Sequence, residues 1–156
     1  FLTIESLSFK STYFYNPCYA RVGRVTKDTW YKYTGLMNIE EFREYCLSLN
    51  GVYEKMPFTN VPDKYSRDVL CFYVGSKWFC FVNIEVFDFC CIKCDPNESG
   101  ELQARYSGIT PGWHMNKKYW ISVYFNQDVP DNKIKELIKQ SYDIVYQSLP
   151  KKEKGM

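Results

Sequence analysis

A chain of 156 residues with a net charge of +2 fits one domain and lacks the strongly basic balance carried by most duplex-binding proteins. With 19% aromatic residues, among them fourteen tyrosines and eleven phenylalanines, it falls outside the disordered class. No apolar run approaches the ~20 residues of a membrane helix, and no secretory signal pattern opens the chain, so a soluble, cytoplasmic protein is expected.

Residues 1–36 come first and show neither clear periodicity nor a disordered composition. Five basic side chains (Lys10, Arg21, Arg24, Lys27, Lys32) face Glu5 and Asp28, giving this extension +3 and leaving −1 for residues 37–156. Two readings stand: an appended pair of strands, or upstream sequence translated from a misassigned start. The chain begins with Phe1, and Met37 stands where the next segment opens. Residues 37–152 then form one domain, with 153–156 as a tail.

Asn38 with Glu41 three residues on is a capping box, and Ile39, Phe42, Tyr45, Cys46 and Leu49 recur at helical spacing up to Asn50-Gly51. Val52 to Arg67, with Pro57, Pro62, Asn60 and Asp63, reads as loop. Val69–Val74 turns through Gly75-Ser76 into Lys77–Ile84, a two-residue hairpin signal, and Val86–Cys94 is a third strand. Asp95-Pro96-Asn97-Glu98 starts a second helix that Gly108 ends. Ile109–Met115 and Tyr119–Phe125 form a second hairpin with Asn116-Lys117-Lys118 at its tip. Ile134, Leu137, Ile138, Ser141, Tyr142, Val145 and Leu149 stripe a last helix closed by Pro150. The order α-β-β-β-α-β-β-α predicts an α+β fold, a two-layer sandwich with helices on one face of an antiparallel sheet.

Seven cysteines make an odd number without a spaced framework, and those at 71, 80, 90, 91 and 94 fall in apolar strand-like runs. Packed free thiols in a reducing compartment are the expectation. Cys91-Ile92-Lys93-Cys94 is formally C-x-x-C, but it ends a strand rather than opening a helix, and residues three apart on a strand face opposite ways. No second ligand pair has zinc spacing, so no metal and no cofactor are expected.

Pro111-Gly112-Trp113-His114-Met115-Asn116-Lys117-Lys118-Tyr119-Trp120 holds the only histidine, two of the four tryptophans and a lysine pair. Together with Pro57-Phe58, Gly75-Ser76-Lys77-Trp78-Phe79, Lys93-Cys94-Asp95-Pro96, Ser141-Tyr142-Asp143-Ile144-Val145 and Leu149-Pro150-Lys151-Lys152, this string resembles the MmcQ/YjbR family of small bacterial proteins. The similarity runs from Met37 to about Lys152. It implies a two-winged α/β fold, shared with small secretion chaperones, and a DNA-binding role.

The residues themselves argue against an enzyme. His114 is the catalytic candidate by residue type, yet no second histidine, serine elbow, paired acids or Gly-rich phosphate loop accompanies it. It reads as a turn-locking residue beside Trp113. For nucleic acid, Lys117 and Lys118 would contact phosphate, Trp113 and Tyr119 would shape or stack, and His114 and Asn116 would fix the turn. Lys77 would supply a second wing. Near-neutral charge predicts weak, salt-sensitive and largely non-sequence-specific DNA binding. A reading of another class is a protein–protein interaction module, binding a peptide or a second copy through the open sheet, with Trp78, Phe87, Phe89 and Tyr124 as candidate contacts.

Overall fold

The computed structural model describes residues 36–154. The chain divides into two units, 1–36 and 37–156, and the expectations for the extension lie outside the described residues. In chain order the second unit contains α1 (Ile39–Ser48), β1 (Val52–Lys55), α2 (Lys64–Arg67), β2 (Val69–Val74), β3 (Lys77–Asn83), β4 (Phe89–Lys93), α3 (Pro96–Arg105), β5 (Ile109–Pro111), β6 (Trp120–Tyr124), α4 (Asp131–Gln147) and a final 3-10 turn, Lys151–Lys154.

The caps act as their residue types require. The Asn38 side chain accepts from the Glu41 N–H at 3.0 Å, and that of Asp95 accepts from Asn97 N–H at 2.8 Å with Pro96 in the first turn. Gly51 follows α1 with φ +70 and Gly75 turns the β2–β3 hairpin with φ +57, both left-handed conformations that glycine adopts without a Cβ clash.

Three expectations need correction. The segment from Val52 to Arg67 is not all loop. Its start is β1, too short to show a period, which pairs antiparallel with β2 from Val52↔Val74 to Lys55↔Cys71. Its end is the single turn α2, capped by the Asp63 carboxylate on Ser66 N–H at 2.8 Å. The second helix stops at Arg105 rather than at Gly108, since the chain at Tyr106 is already extended. The second hairpin has a three-residue β5 and a long connection, Gly112 to Tyr119, where alternation had suggested longer strands.

The six described strands join one antiparallel sheet in the order β1-β2-β3-β4-β6-β5. On one face the large core forms: Phe42 and Cys46 of α1 and Ile134, Leu137, Ile138, Tyr142 and Val145 of α4 pack on Leu70, Phe72, Phe79, Val82, Ile92, Ile121 and Val123. This is the expected helical layer. The opposite face carries a second, smaller cluster of Val69, Cys71, Phe81, Cys91 and Trp120, flanked by Phe58, Tyr65, Tyr73, Trp78, Trp113 and Met115. A bulge links the two. The β2–β3 register shifts between Phe72 and Tyr73, so Phe72 pairs with Cys80, Tyr73 pairs with Trp78, and Phe79 lies between without a partner. Phe79 and Cys80 therefore both enter the helical core, while Trp78 and Phe81, three apart, share the open face at 5.6 Å between ring centroids.

Candidate functional site

The Pro111–Trp120 connection is anchored against the open face. Gly112 donates to the Trp120 carbonyl at 2.9 Å, and a Cβ at position 112 would stand 2.6 Å from the Trp120 Cβ and 2.8 Å from its oxygen. Trp113 N–H donates to Ser122 Oγ at 3.0 Å, and its indole meets Tyr65 and Phe89 edge-on at 5.0 and 6.0 Å. The Asn116 carbonyl accepts from the N–H groups of Tyr119 and Trp120, and its side chain accepts from Lys118 N–H at 3.0 Å. His114 lies exposed at φ +53, edge-on to Trp113 at 4.1 Å.

The lysines expected to meet phosphate have different surroundings. The Lys117 ammonium folds back onto the Gly112 carbonyl of its own loop. Lys77 donates to Ser148 O and Oγ, both at 3.2 Å, at the C-terminal end of α4, where a cation opposes the helix dipole. Lys118 stays exposed, with its ammonium 5.2 Å from the Tyr119 ring centroid.

Two further lysines emerge on the open face. Lys55 of β1 lies over Tyr53 and Tyr73, at 5.1 and 5.8 Å, and these rings stack across the β1–β2 pair at 5.4 Å. Lys93, at the end of β4, lies 5.8 Å above Trp120. Glu54 is the one carboxylate in any described strand, and it turns to the helical side, where it pairs with Arg43 of α1. Carboxylates concentrate on the helices instead: Glu40, Glu41 and Glu44, then Glu98 and Glu101, then Asp131, Glu136 and Asp143. Lys55 was not singled out in sequence, and Lys93 only as part of the Lys93-Cys94-Asp95-Pro96 segment without a binding role; the signal that could have found them is their two-residue spacing from Tyr53 and Cys91, which puts each on that neighbour's face.

Beside Lys93 the face is hollowed. A cleft of about 530 Å³ is walled by Pro57, Phe58, Tyr73, Trp78, Met115 and Trp120 and rimmed by Ser76, Lys77 and Lys93. A second, of about 570 Å³, shares Phe58, Trp78 and Met115 and extends past Tyr65 and Trp113 to His114 and Asp63. Hydrogen bonds from Ser66 hold the exposed Asp63 carboxyl below the usual carboxylate range. Burial and a bond to Asp88 raise the Tyr65 phenol far above its ordinary value, so it stays neutral as a fixed wall.

Among the described residues the thiols offer no reactive centre. Cys91 faces the open side and Cys94 the helical core, opposite faces of one strand. Burial raises Cys71 and Cys91 to about 12 and Cys94 to about 11. Such thiols are protonated at neutral pH and poor nucleophiles. Among the described residues no group of three or more His, Cys, Asp or Glu side chains is placed to hold a metal, and no helix is long and apolar enough to cross a membrane.

Comparison with known proteins agrees with this architecture. The YjbR family model matches residues 47–144. The uncharacterized protein YbdF of Escherichia coli O157:H7 is 32% identical over 100 residues, covering 64% of this chain and 82% of that protein. The uncharacterized protein YjbR of Escherichia coli K12 is 26% identical over 124 residues, 77% of this chain and 97% of its own length. Among solved structures, a Deinococcus radiodurans protein with a DUF419 domain superposes with a TM-score of 0.64 at 28% identity, covering 76% of this chain and 86% of that one. A Pseudomonas syringae protein gives 0.57 at 26% identity, covering 69% and 98%.

Proposed function

The chain belongs to the YjbR family, and from that premise we propose that it is a weak, largely non-sequence-specific nucleic-acid-binding protein that meets its ligand with the open face of the sheet. The observation that supports this is the separation of charge. Residues 37–156 are near neutral in sum, yet the open face presents Lys55 and Lys93 over aromatic rings, with no strand carboxylate beside them. A polyanion gains from cations gathered on one side even when the total charge is small, because counterion release depends on local phosphate contacts.

The hairpin loop serves the same surface. Lys118 adds a third cation beside the exposed Lys55 and the half-buried Lys93, Trp113 wedges the loop against the face, and Asn116 closes the turn. Lys77 and Lys117, engaged with backbone carbonyls, act in holding the surface together. The Lys55→Glu, Lys118→Glu double variant should lose most affinity for a labelled DNA in fluorescence anisotropy at low salt while keeping its thermal midpoint. Unchanged binding by that variant would sink the proposal.

A protein-interaction reading draws on a different feature. β1 lies at the sheet edge with Tyr53 and Lys55 exposed, a place where an extended peptide or a second copy could add a strand. A concentration-dependent dimer indifferent to salt and to nucleic acid, seen by sedimentation, would favour it.

A further inference from the structure

We infer that the cleft between Trp78 and Met115 is a subsite for one unpaired base of a single strand, with Lys93 on the adjoining phosphate. This rests on the nucleic-acid reading above and specifies the form of ligand the face accepts. The cleft has aromatic walls on several sides: Tyr73, Trp78 and Trp120 from three strands, and Phe58 from the loop that leads to α2. A duplex keeps the faces of its bases stacked on one another and offers only their edges and phosphates. Aromatic walls of this kind have nothing to grip on a duplex, whereas an unstacked base presents a π-face to them.

The rings are held before any ligand arrives. Trp78 touches Phe58 at 5.9 Å, Tyr73 at 6.3 Å, Phe81 at 5.6 Å and Trp120 at 6.4 Å between centroids, so little side-chain freedom remains to be lost on binding. Charge separates this cleft from its neighbour. Lys93 lines this cleft, and the Glu153 carboxylate at its Ser76 edge is tied down by the Ser76 N–H and Oγ, while the second cleft is lined by Asp63 itself, whose ionised side chain repels phosphate. The Lys93 ammonium over the buried Trp120 therefore sets the polarity: base inward against the half-buried Trp78 and Tyr73, phosphate outward at the rim.

The full chain should bind a labelled oligothymidylate at least about tenfold more tightly than a duplex of equal length, as stacking of one base allows. Tryptophan emission should change with the single strand and not with the duplex. Lys93→Gln should weaken binding to both forms, as loss of a phosphate contact requires, and to the single strand by more, so that most of the single-strand preference is lost. Equal affinity for both forms with unchanged tryptophan emission would overturn the base subsite and leave the nucleic-acid reading standing. No binding to either form would overturn both, and the emission change in the unmodified chain decides the matter even if Lys93→Gln folds poorly.

Discussion

Gly112 shows how one residue type fixes a surface. It donates across to Trp120 at a separation where any Cβ would overlap backbone, so the loop is pinned at its first residue. Gly112→Ala should lower unfolding free energy by about 1–3 kcal/mol, the usual cost of forcing a methyl group into packed surroundings. Gly100 is the internal control, because a Cβ there meets nothing within 4 Å on an exposed turn of α3. Gly100→Ala should stabilise by about 0.5–1 kcal/mol through the reduced entropy of the unfolded chain. Urea unfolding of the two variants should move the midpoint in opposite directions. The cysteines make a second residue-scale case. Burial and the Glu98 and Asp95 carboxylates hold the Cys94 thiol up at about 11, below the value of about 12 for Cys71 and Cys91. Cys94 is also the most exposed of the described cysteines at 7%, against 0% for Cys46, Cys71, Cys80, Cys90 and Cys91. Mass spectrometry after brief iodoacetamide treatment should find Cys94 modified first among these six, at a rate rising with pH.

Between α4 and the sheet, a single buried hydroxyl manages the bulge. Ser141 Oγ donates to the Phe79 carbonyl at 2.6 Å and accepts from Lys93 N–H at 2.8 Å, joining the unpaired bulge residue of β3 to the end of β4. Ser141→Ala would leave two backbone groups without that partner in a fully buried position, and each such loss costs about 1–3 kcal/mol. The variant should therefore unfold at markedly lower urea, and more so than Ser148→Ala at the exposed end of the same helix. In sequence Ser141 sat correctly within the apolar stripe of the last helix, but its role could not be read there, because the bulge is a matter of cross-strand register. The same bulge hid the open face: simple alternation assigns Trp78 and Phe81 to opposite sides, and the extra residue brings them together. Helix caps, the Gly75-Ser76 hairpin and the single antiparallel sheet were legible, since each rests on local residue types and periods. β1 was not, because four residues at an edge carry too little pattern, and the short hairpin strands were overestimated for a related reason. Apolar residues such as Trp113 and Met115 that pack from a loop onto a sheet mimic strand alternation. The lysine pair of the hairpin was visible, whereas Lys55 and Lys93 acquire meaning only when β1 and β4 are set beside the tyrosines and tryptophans of their neighbours.

Charge organises the whole molecule in a way its total conceals. Residues 1–36 carry +3 and residues 37–156 carry −1, while within the second unit many carboxylates lie on helices and the open face of the sheet holds Lys55 and Lys93, with Asp63 and Asp88 confined to its Tyr65 side. These two scales make separable contributions to binding. If Lys55, Lys93 and Lys118 each neutralise one phosphate of a single strand, log K should fall against log salt with a slope of about −2, from roughly 0.7 per contact. The basic residues of the extension would steepen that slope in the full chain if they also reach the strand. A chain starting at Met37 retains the capping box of α1, and the Asn126 side chain accepts from Met37 N–H at 3.1 Å and donates to its carbonyl at 3.3 Å. That chain should unfold cooperatively by circular dichroism and bind oligothymidylate with the shallower slope of about −2 expected for the sheet face alone. A slope near zero in this shorter chain, with steep salt dependence in the full one, would move the contact from the sheet to residues 1–36. Equal slopes in both would place the whole electrostatic contribution on the open face, where lysines and aromatic rings already stand together.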